Sequence, residues 1–463
     1  MLIGELVPEA LRFLRNNPAS PELSAFDHVI VDEYQDLNRA EQLLIDLVAT
    51  SGSNAIIGDV DQSIYSFRHA HPVGIEEFGN DHPGTHDERL IECRRCATQI
   101  VSIADHLIRH NHPPGGVARL SPMPGNANGD VHIVQWGSIE DEAAGLADYI
   151  KWLTTGDGYG PGDVLVLTPR RLLGYQVRDE LVSRDVAVHS FYHEEALEDA
   201  SAQEAFTLLN LLVNNEDRVS LRWWLGCGSP SGRKSEYTRL RQHCEAAGES
   251  PWQALTRIDS GELAVPRTTR ILSRFRDLRA KLATLGGLEV KGLVDELFAD
   301  GDDGCANIRE SALVILEEIE SPSELLDRLK SAVTQPEMPE EGDFVRVMSL
   351  HKSKGLTSKV VIVAGAILGL IPFSGAHATP AEQDNVLREQ RRLFYVALTR
   401  ARDVLVVSSA IQMERSLGYK IGAVLPVGQG KYGATIASPF LAELGPDAPP
   451  ALAGSDWQAK GWK

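Results

Sequence analysis

The sequence predicts an α/β fold built on parallel strands, and two observations lead to this prediction. Seven short runs of β-branched and other apolar residues recur along the chain, and each ends in a polar cluster followed by a helical pattern. Runs that are apolar on both sides are typical of parallel strands covered by helices on both faces. The runs are 28–33, 54–59, 130–136, 163–168, 344–351, 359–365 and 403–410.

The length and the local composition predict how the chain divides. At 463 residues it is about three times a typical domain, so we expect two to four packed units. Residues 194–336 have almost no strand-like runs and carry apolar residues three and four apart, which predicts a helical insertion. A Gly- and Pro-rich loop at 113–129 predicts a domain boundary, and the Pro-, Ala- and Gly-rich end predicts a flexible tail. The expected segments are 1–115, 116–193, 194–336, 337–445 and 446–463.

The charge of the chain is segregated along the sequence. A net charge of −20 argues against binding to phosphate backbones. However, residues 295–343 hold 15 acidic residues against three basic ones, whereas residues 218–281 hold 13 basic residues against six acidic ones. For either segment alone, we interpret the excess charge as a solvated helix face. The net charge therefore does not exclude nucleic acid as a partner.

The cysteines and the apolar runs bear on the cellular compartment. Five cysteines form no regular framework, so we expect a reducing, cytoplasmic compartment. Cys93 and Cys96 make one CxxC pair without a second pair, so we interpret them as ordinary thiols on a loop rather than as a zinc site. The apolar run 360–373 is too short to span a bilayer, and we expect no membrane partner.

Two adjacent acids follow the first apolar run. In VIVDEYQD (29–36) the strand delivers Asp32 and Glu33 to its carboxyl end, where α/β sheets bind ligands. In nucleotide hydrolases such a strand supplies one carboxylate for Mg²⁺ and a neighbour that orients or deprotonates the attacking water. The alternative is an acidic turn in which Asp36 and Asn38 cap the next helix.

A second polar cluster follows the next apolar run. Asp61 and Gln62 arrive at the same predicted sheet edge, and beyond them lie Tyr65, Phe67 and Arg68. Aromatic faces interleaved with a cation are suited to stacking bases and holding a phosphate. The alternative is that Ile64 and Phe67, three residues apart, belong to the core at the start of a helix.

The two clusters together resemble motifs II and III of the superfamily 1 helicases of the UvrD/Rep/PcrA type. DEYQD is followed 22 residues later by GDVDQSIYSFR, in the arrangement of that family. RLIECRRCATQI (89–100) is similar to motif IV, VRVMSLHKSKGL (345–356) to motif V, and EQRRLFYVALTRARDVLVV (389–407) to motif VI. The five motifs stand in the family's order, so chance does not explain the resemblance.

The resemblance implies a fold, a reaction and site residues. It implies two RecA-like domains of the P-loop NTPase type, the first one truncated and the second carrying the helical insertion. It implies a 3′ to 5′ DNA helicase with ATP and Mg²⁺ as cofactors and single-stranded or partially duplex DNA as the substrate. The residues it assigns to ATP are Asp32 for Mg²⁺, Glu33 as general base, Gln62 as γ-phosphate sensor, Arg95 and Arg400 as the two charge-neutralising arginines, and Gly355. Those it assigns to DNA are Tyr65, Phe67, Arg68 and His351.

The sequence departs from the family pattern at four places. No GxxxxGK[ST] phosphate loop occurs, and only 31 residues precede Asp32. We therefore expect the loop to come from a separate polypeptide or from an earlier start. Arg94 replaces an aromatic residue, Thr357 replaces an acid, and His69 replaces a glycine.

Two other functions compete with a helicase. The first is a non-hydrolysing remnant that acts as a DNA- or protein-binding module, and the second is a fusion with a nuclease. Retention of the five residues assigned to catalysis and Mg²⁺ argues against the remnant. The short segment after the motif VI region argues against a nuclease domain.

Overall fold

A computed structural model describes most of the chain in atomic detail. The described residues are 6–66, 69–115, 118–156, 158–191, 197, 199–229, 231–302, 305–316, 319, 321–334, 342–373 and 379–462. They form two compact units, one of residues 1–191 with 341–463 and the other of residues 192–340. The expected boundary near residue 115 lies inside the first unit, and division of that unit into two domains stays a prediction.

Helices and strands alternate over most of the first unit. The helices of the described chain are α1 Leu6–Asn16, α2 Arg39–Val48, α3 Val73–Asp81, α4 Thr98–Arg109, α5 Ile139–Thr155, α6 Arg171–Ser183, α7 Ala200–Val213, α8 Arg218–Gly226, α9 Lys234–Ala247, α10 Pro251–Ser260, α11 Thr269–Leu285, α12 Val290–Leu297, α13 Ala306–Ile315, α14 Pro322–Thr334, α15 Pro380–Leu398, α16 Arg415–Ile421 and α17 Gly454–Ala459. The strands are β1 His28–Val31, β2 Ser53–Ile56, β3 Glu92–Cys93, β4 Ser121–Pro122, β5 Asp130–Trp136, β6 Val164–Thr168, β7 Val188–Ser190, β8 Val345–Ser349, β9 Ser358–Val363, β10 Ala401–Ala410, β11 Gln412–Glu414, β12 Tyr432–Ala434 and β13 Leu452–Ala453.

A seven-stranded parallel sheet forms the core of the first unit. Its order is β13-β5-β10-β9-β6-β8-β7, and every neighbouring pair is parallel. Helices α5 and α6 pack together, with α5 against β5 and β10 and α6 against β6 and β8, and α4 and α15 pack together against β10. All five residues of β6 are buried, as are the last seven of β10. The predicted α/β class with a parallel sheet is therefore confirmed.

A smaller sheet carries the acidic cluster. Strands β1 and β2 pair in parallel, with Val29 opposite Asn54 and Val31 opposite Ile56. This sheet has two strands within the described residues, and exposed and half-buried residues alternate along both. The side chain of Ile30 in β1, for example, is 72% exposed. The acids of the site thus follow a less buried strand than β10, which Arg400 directly precedes.

The end of the chain corrects the expectation of a flexible tail at 446–463. Strand β13 pairs with β5, and helix α17 packs against the same strand. Trp457 is fully buried, with its ring 4.6 Å from that of Tyr149 and 6.5 Å from that of Trp136. A fully buried tryptophan is a large apolar contribution to folding, and it orders this segment despite its Pro- and Gly-rich composition.

The second unit is helical throughout its described residues and has its own core. Helices α7 to α14 bury leucine, alanine and aromatic side chains around Trp224 and Phe275. Several of its arginines pair with acids of the same unit, as Arg276 and Arg279 do with Asp259. These pairs agree with the interpretation of the basic segment as a solvated helix face. No helix in the described part of the chain is long and apolar enough to cross a membrane.

Candidate nucleotide and nucleic-acid site

The acidic pair stands at the carboxyl end of β1, as expected for a parallel strand. At the end of β2, the backbone N–H of Ile57 donates a hydrogen bond to the carbonyl oxygen of Val31, the last residue of β1, at 2.7 Å. Glu33 then adopts a left-handed conformation with φ of 53°, and its backbone N–H donates to Asp32 Oδ1 at 2.8 Å. A left-handed non-glycine residue is uncommon and carries a conformational cost, and such residues cluster at functional sites. The turn leaves both carboxylates exposed to solvent.

The alternative interpretation of this segment as a capped helix start is correct for Asn38. Its side chain accepts hydrogen bonds from the backbone N–H groups of Ala40 and Glu41, and Glu41 accepts one from the backbone of Asn38. This is a capping box for α2. Asp36 has another partner, Lys354. The helix cap and the acidic site therefore coexist in one short segment.

A chain of amide and carboxylate groups links the two clusters. The buried side chain of Gln35 donates to Glu33 Oε2 at 2.6 Å and accepts from the backbone N–H of Asp59 at 3.0 Å. The Asp59 carboxylate in turn accepts from Gln62 Nε2 at 2.9 Å. Gly58 leaves room for this chain, because a Cβ there would lie 2.5 Å from the Gln35 amide oxygen. The predicted γ-phosphate sensor Gln62 is thus connected to the predicted base Glu33.

The other predicted polar group, Asp61, is buried and paired away from this chain. Its two oxygens contact His112 Nε2 at 2.7 Å and Arg119 Nε at 2.8 Å. Burial, with the nearby charge of Asp61 as the second cause, raises the pKa of Asp59 above its usual range. Asp59 and Asp61 therefore hold neighbouring side chains in place and do not form the exposed edge of the site.

Lys354 connects the acidic clusters to the segment after β8. This lysine was not among the site residues predicted from the sequence. Its Nζ lies 2.5 Å from Asp36 Oδ2, 3.3 Å from Glu33 Oε2 and 2.9 Å from the carbonyl oxygen of Gln62. It also lies 5.3 Å from the centre of the Tyr65 ring. Its side chain is only 7% exposed. A signal was present, because a lysine precedes Gly355 in the region that resembles motif V.

The two predicted arginines meet at the residues that follow Gly355. Arg400 is buried, and its Nη1 donates to the carbonyl oxygen of Leu356 at 3.2 Å. Arg95 is exposed, and its Nη1 donates to the Thr357 hydroxyl at 3.3 Å. Burial, and then the positive charge of Arg95, lowers the pKa of Arg400 to about 10. At neutral pH the guanidinium still carries its charge. Gly355 itself has φ of 83°, which favours glycine.

The residues assigned to DNA are only partly within the described chain. Tyr65 is half-buried, and its hydroxyl lies 3.5 Å from the carbonyl oxygen of His351, at the limit of a hydrogen bond. Burial lowers the pKa of His351, although nearby Glu389 acts in the opposite direction. Ile64 is fully buried, so the core interpretation holds for it. Phe67 and Arg68 lie outside the described residues.

The donor set suits a magnesium ion that is also bound by phosphate. Mg²⁺ is usually held by one or two carboxylates together with water and substrate phosphates. Asp32 is exposed, and no cation among the described residues pairs with it. Nowhere in the described chain do three or more His, Cys, Asp or Glu residues form a group that could hold a metal ion. Asp32 and Glu33 therefore fit a shared site and not a metal cage made by protein alone.

Comparison with known proteins shows which helicases this chain is similar to. The model of the UvrD/REP helicase N-terminal domain matches residues 4–83, and that of the UvrD-like helicase C-terminal domain matches residues 307–412. The ATP-dependent DNA helicase PcrA of Leuconostoc citreum is 28% identical over 458 residues, which cover 91% of this chain and 57% of that protein. The PcrA helicases of Staphylococcus epidermidis and Staphylococcus aureus are 25% identical over 434 residues, covering 88% of this chain and 57% of theirs. This chain thus spans little more than half the length of these relatives. Both matches stand in the order of the UvrD/Rep family, and over these regions the chain is similar to superfamily 1 helicases of that family.

Proposed function

We propose that this chain forms part of a UvrD-like 3′ to 5′ DNA helicase, in which ATP hydrolysis is coupled to movement along single-stranded DNA. The observation that carries the proposal is the convergence around Lys354 and the three residues after it. Lys354 contacts Glu33, Asp36 and Gln62, and the next residues accept hydrogen bonds from Arg400 and Arg95. Residues more than 300 positions apart in the sequence thus meet at one place.

The residues of this site would divide the work of phosphoryl transfer. Bound Mg-ATP would supply the phosphoryl group whose transfer to water releases free energy. Asp32 would hold the ion, Glu33 would accept the proton of the attacking water, and Gln62 would respond to the terminal phosphate. Arg95 and Arg400 would neutralise charge on the transferring group, a role worth about 10³ to 10⁵ in rate. The sequence has no GxxxxGK[ST] loop, and the proposal assigns that loop to another segment or polypeptide.

Binding of a fluorescent ATP analogue with Mg²⁺ tests the nucleotide site. We expect Arg400→Gln to weaken binding by about 10- to 100-fold, since a charge-assisted hydrogen bond is worth about 1.5–3 kcal/mol. Arg402→Gln is the matched control, because Arg402 is an exposed arginine two residues further on. Thermal melts of both variants establish that they fold. Equal affinities of the two variants would contradict the proposal.

Fluorescence anisotropy of a labelled single-stranded oligonucleotide tests the DNA site. Tyr65→Ala is expected to lose about 1–3 kcal/mol of binding free energy, the usual contribution of one aromatic side chain stacked on a base. Tyr419→Ala is the control, because Tyr419 is a 62% exposed tyrosine on α16. A loss of similar size in both variants would remove the assignment of Tyr65 to DNA.

The second candidate is a non-hydrolysing DNA- or protein-binding module. The two candidates differ in whether nucleotide and DNA influence each other. The helicase requires the affinity for the oligonucleotide to change when a non-hydrolysable ATP analogue is added. The module predicts the same affinity with and without the analogue.

A further inference from the structure

Two cysteines enclose Arg95 in the turn between β3 and α4. Cys93 is the last residue of β3 and is partly exposed, whereas Cys96 is buried just before α4. The backbone N–H of Cys96 points at the Cys93 sulfur, 3.5 Å away, and the two thiols lie close enough for each to shift the pKa of the other. The two cysteine side chains are therefore neighbours in the folded chain.

The backbone of this turn is held from outside. The side-chain amide of Asn126 donates to the carbonyl oxygen of Cys93 at 2.7 Å and to that of Cys96 at 2.8 Å. The backbone N–H of Met123 donates to the same carbonyl of Cys93 at 3.1 Å. With both carbonyl groups tied to one amide, the two cysteines stay at this separation.

The two thiols are chemically unequal. The hydrogen bond from Cys96, helped by the backbone N–H groups of Cys96 and Arg95 and by the Arg95 charge, lowers the pKa of Cys93 to about 5. The same hydrogen bond, together with burial, raises the pKa of Cys96. Cys93 is thus a thiolate at neutral pH, and the thiolate is the nucleophilic form of cysteine. Cys96 remains a protonated neighbour.

We propose that Cys93 and Cys96 form a thiol-modification site that reacts with low-molecular-weight disulfides. The Cys93 thiolate attacks one sulfur of the small disulfide, forms a mixed disulfide, and releases one small thiolate. The Cys96 thiol then loses its proton to solvent and attacks the Cys93 sulfur, which releases the second small thiolate. One small disulfide is reduced to two thiols, and the two cysteines are oxidised to one intramolecular disulfide.

Formation of the disulfide would change the surroundings of both Arg95 and Arg400. Arg95 lies inside the ring that the disulfide closes. The Cys96 sulfur lies 3.3 Å from the carbonyl oxygen of Thr399, whose hydroxyl accepts a hydrogen bond from Arg400 at 3.2 Å. An effect on nucleotide rests on the proposed function, whereas formation of the disulfide does not.

Incubation of the full chain with oxidised glutathione, followed by alkylation and peptide mass spectrometry, tests the site without any nucleotide. We expect the peptide with Cys93 and Cys96 to lose two hydrogens, and dithiothreitol to restore them. Partly exposed Cys227 is the internal control, and its mixed disulfide should form at least about tenfold more slowly. Equal reaction at Cys93 and Cys227 would overturn the proposal.

Two variants separate the roles of the cysteines. Cys96→Ser should stop the reaction at a stable glutathione adduct on Cys93. Cys93→Ser should leave Cys96 unmodified under native conditions, because Cys96 is buried. An adduct on Cys96 in the Cys93→Ser variant, with an unchanged thermal melt, would contradict the assignment. If the disulfide forms but affinity for the ATP analogue does not change, the thiol site stands and its link to the nucleotide site fails.

Discussion

The β1–β2 sheet and the seven-stranded sheet of the first unit differ in how deeply their strands are buried. Strand β6 in the seven-stranded sheet is buried at every residue, whereas β1 alternates between exposed and half-buried residues. Both strands are short apolar runs in the sequence. A two-stranded sheet is marginal by itself, because it buries too little apolar surface. The acids thus follow a strand of the less buried sheet, whereas Arg400 directly precedes β10, an interior strand of the larger one.

The largest expected effect is a difference in the free energy of unfolding between a substitution in the larger sheet and one in the β1–β2 sheet. Leu165→Ala in β6 should lower the free energy of unfolding by about 2–5 kcal/mol, because it opens a cavity at a fully buried position. Ile30→Ala in β1 should change it by less than about 0.5 kcal/mol, because Ile30 is largely exposed. Urea denaturation of both variants measures the difference. Similar losses would mean that the β1–β2 sheet is as firmly packed as the larger one.

The next effect concerns the lysine that connects the acids to the larger sheet. Lys354→Met should lower the free energy of unfolding by about 1–3 kcal/mol, because Asp36 loses its charged partner. In a double-mutant cycle, Asp36→Asn should recover part of this loss. Lys359→Met is the control, since the ion pair of Lys359 with Asp163 is more exposed. If the effects of the two substitutions on the free energy of unfolding are simply additive, Lys354 and Asp36 are not coupled, and this result would contradict the ion pair between them.

Seven of the nine strands in these two sheets were predictable because they are local patterns, whereas the short edge strands β7 and β13 were not predicted. Each of the seven apolar runs became a strand, and strands of this kind are recognisable without knowledge of their neighbours. The burial difference between β1 and β6 was not predictable. It depends on how many strands and helices cover each one, and the local sequence does not contain this information.

Long-range contacts explain what the sequence did not predict. Lys354 stands in a polar loop, where a lysine is ordinarily solvated, and its partners Asp36 and Gln62 are 318 and 292 residues away. Trp457 is ordered by Tyr149 and Trp136, again far along the chain. The candidate acids and arginines came from motifs, and their catalytic roles stay predictions.

A smaller, pH-dependent effect is expected at a carboxyl group on helix α5, which packs against the larger sheet. Glu142 is fully buried, and burial raises its pKa although it accepts hydrogen bonds from Ser408 and from the backbone of Gly365. The folded chain therefore holds the Glu142 proton more tightly than the unfolded chain, and stability is lost as the pH rises through the folded pKa. Relative to Glu142→Gln, the unchanged chain should become less stable as the pH rises from 5 to 8. Urea denaturation at both pH values measures this, and a constant difference would contradict it.

The smallest effect leaves both sheets intact and changes only the titration of Cys93. Its alkylation by neutral iodoacetamide should keep most of its rate down to about pH 5, because the Cys96 thiol and the Arg95 charge stabilise the thiolate. Cys96→Ala removes the strongest of these interactions and leaves Arg95 in place, so the midpoint of the rate should move to higher pH. Tyr395 lies near both thiols, but its own pKa is raised well above the usual value, so it stays neutral over this range. A midpoint that is unchanged in Cys96→Ala would show that the hydrogen bond between the thiols does not set the reactivity of Cys93.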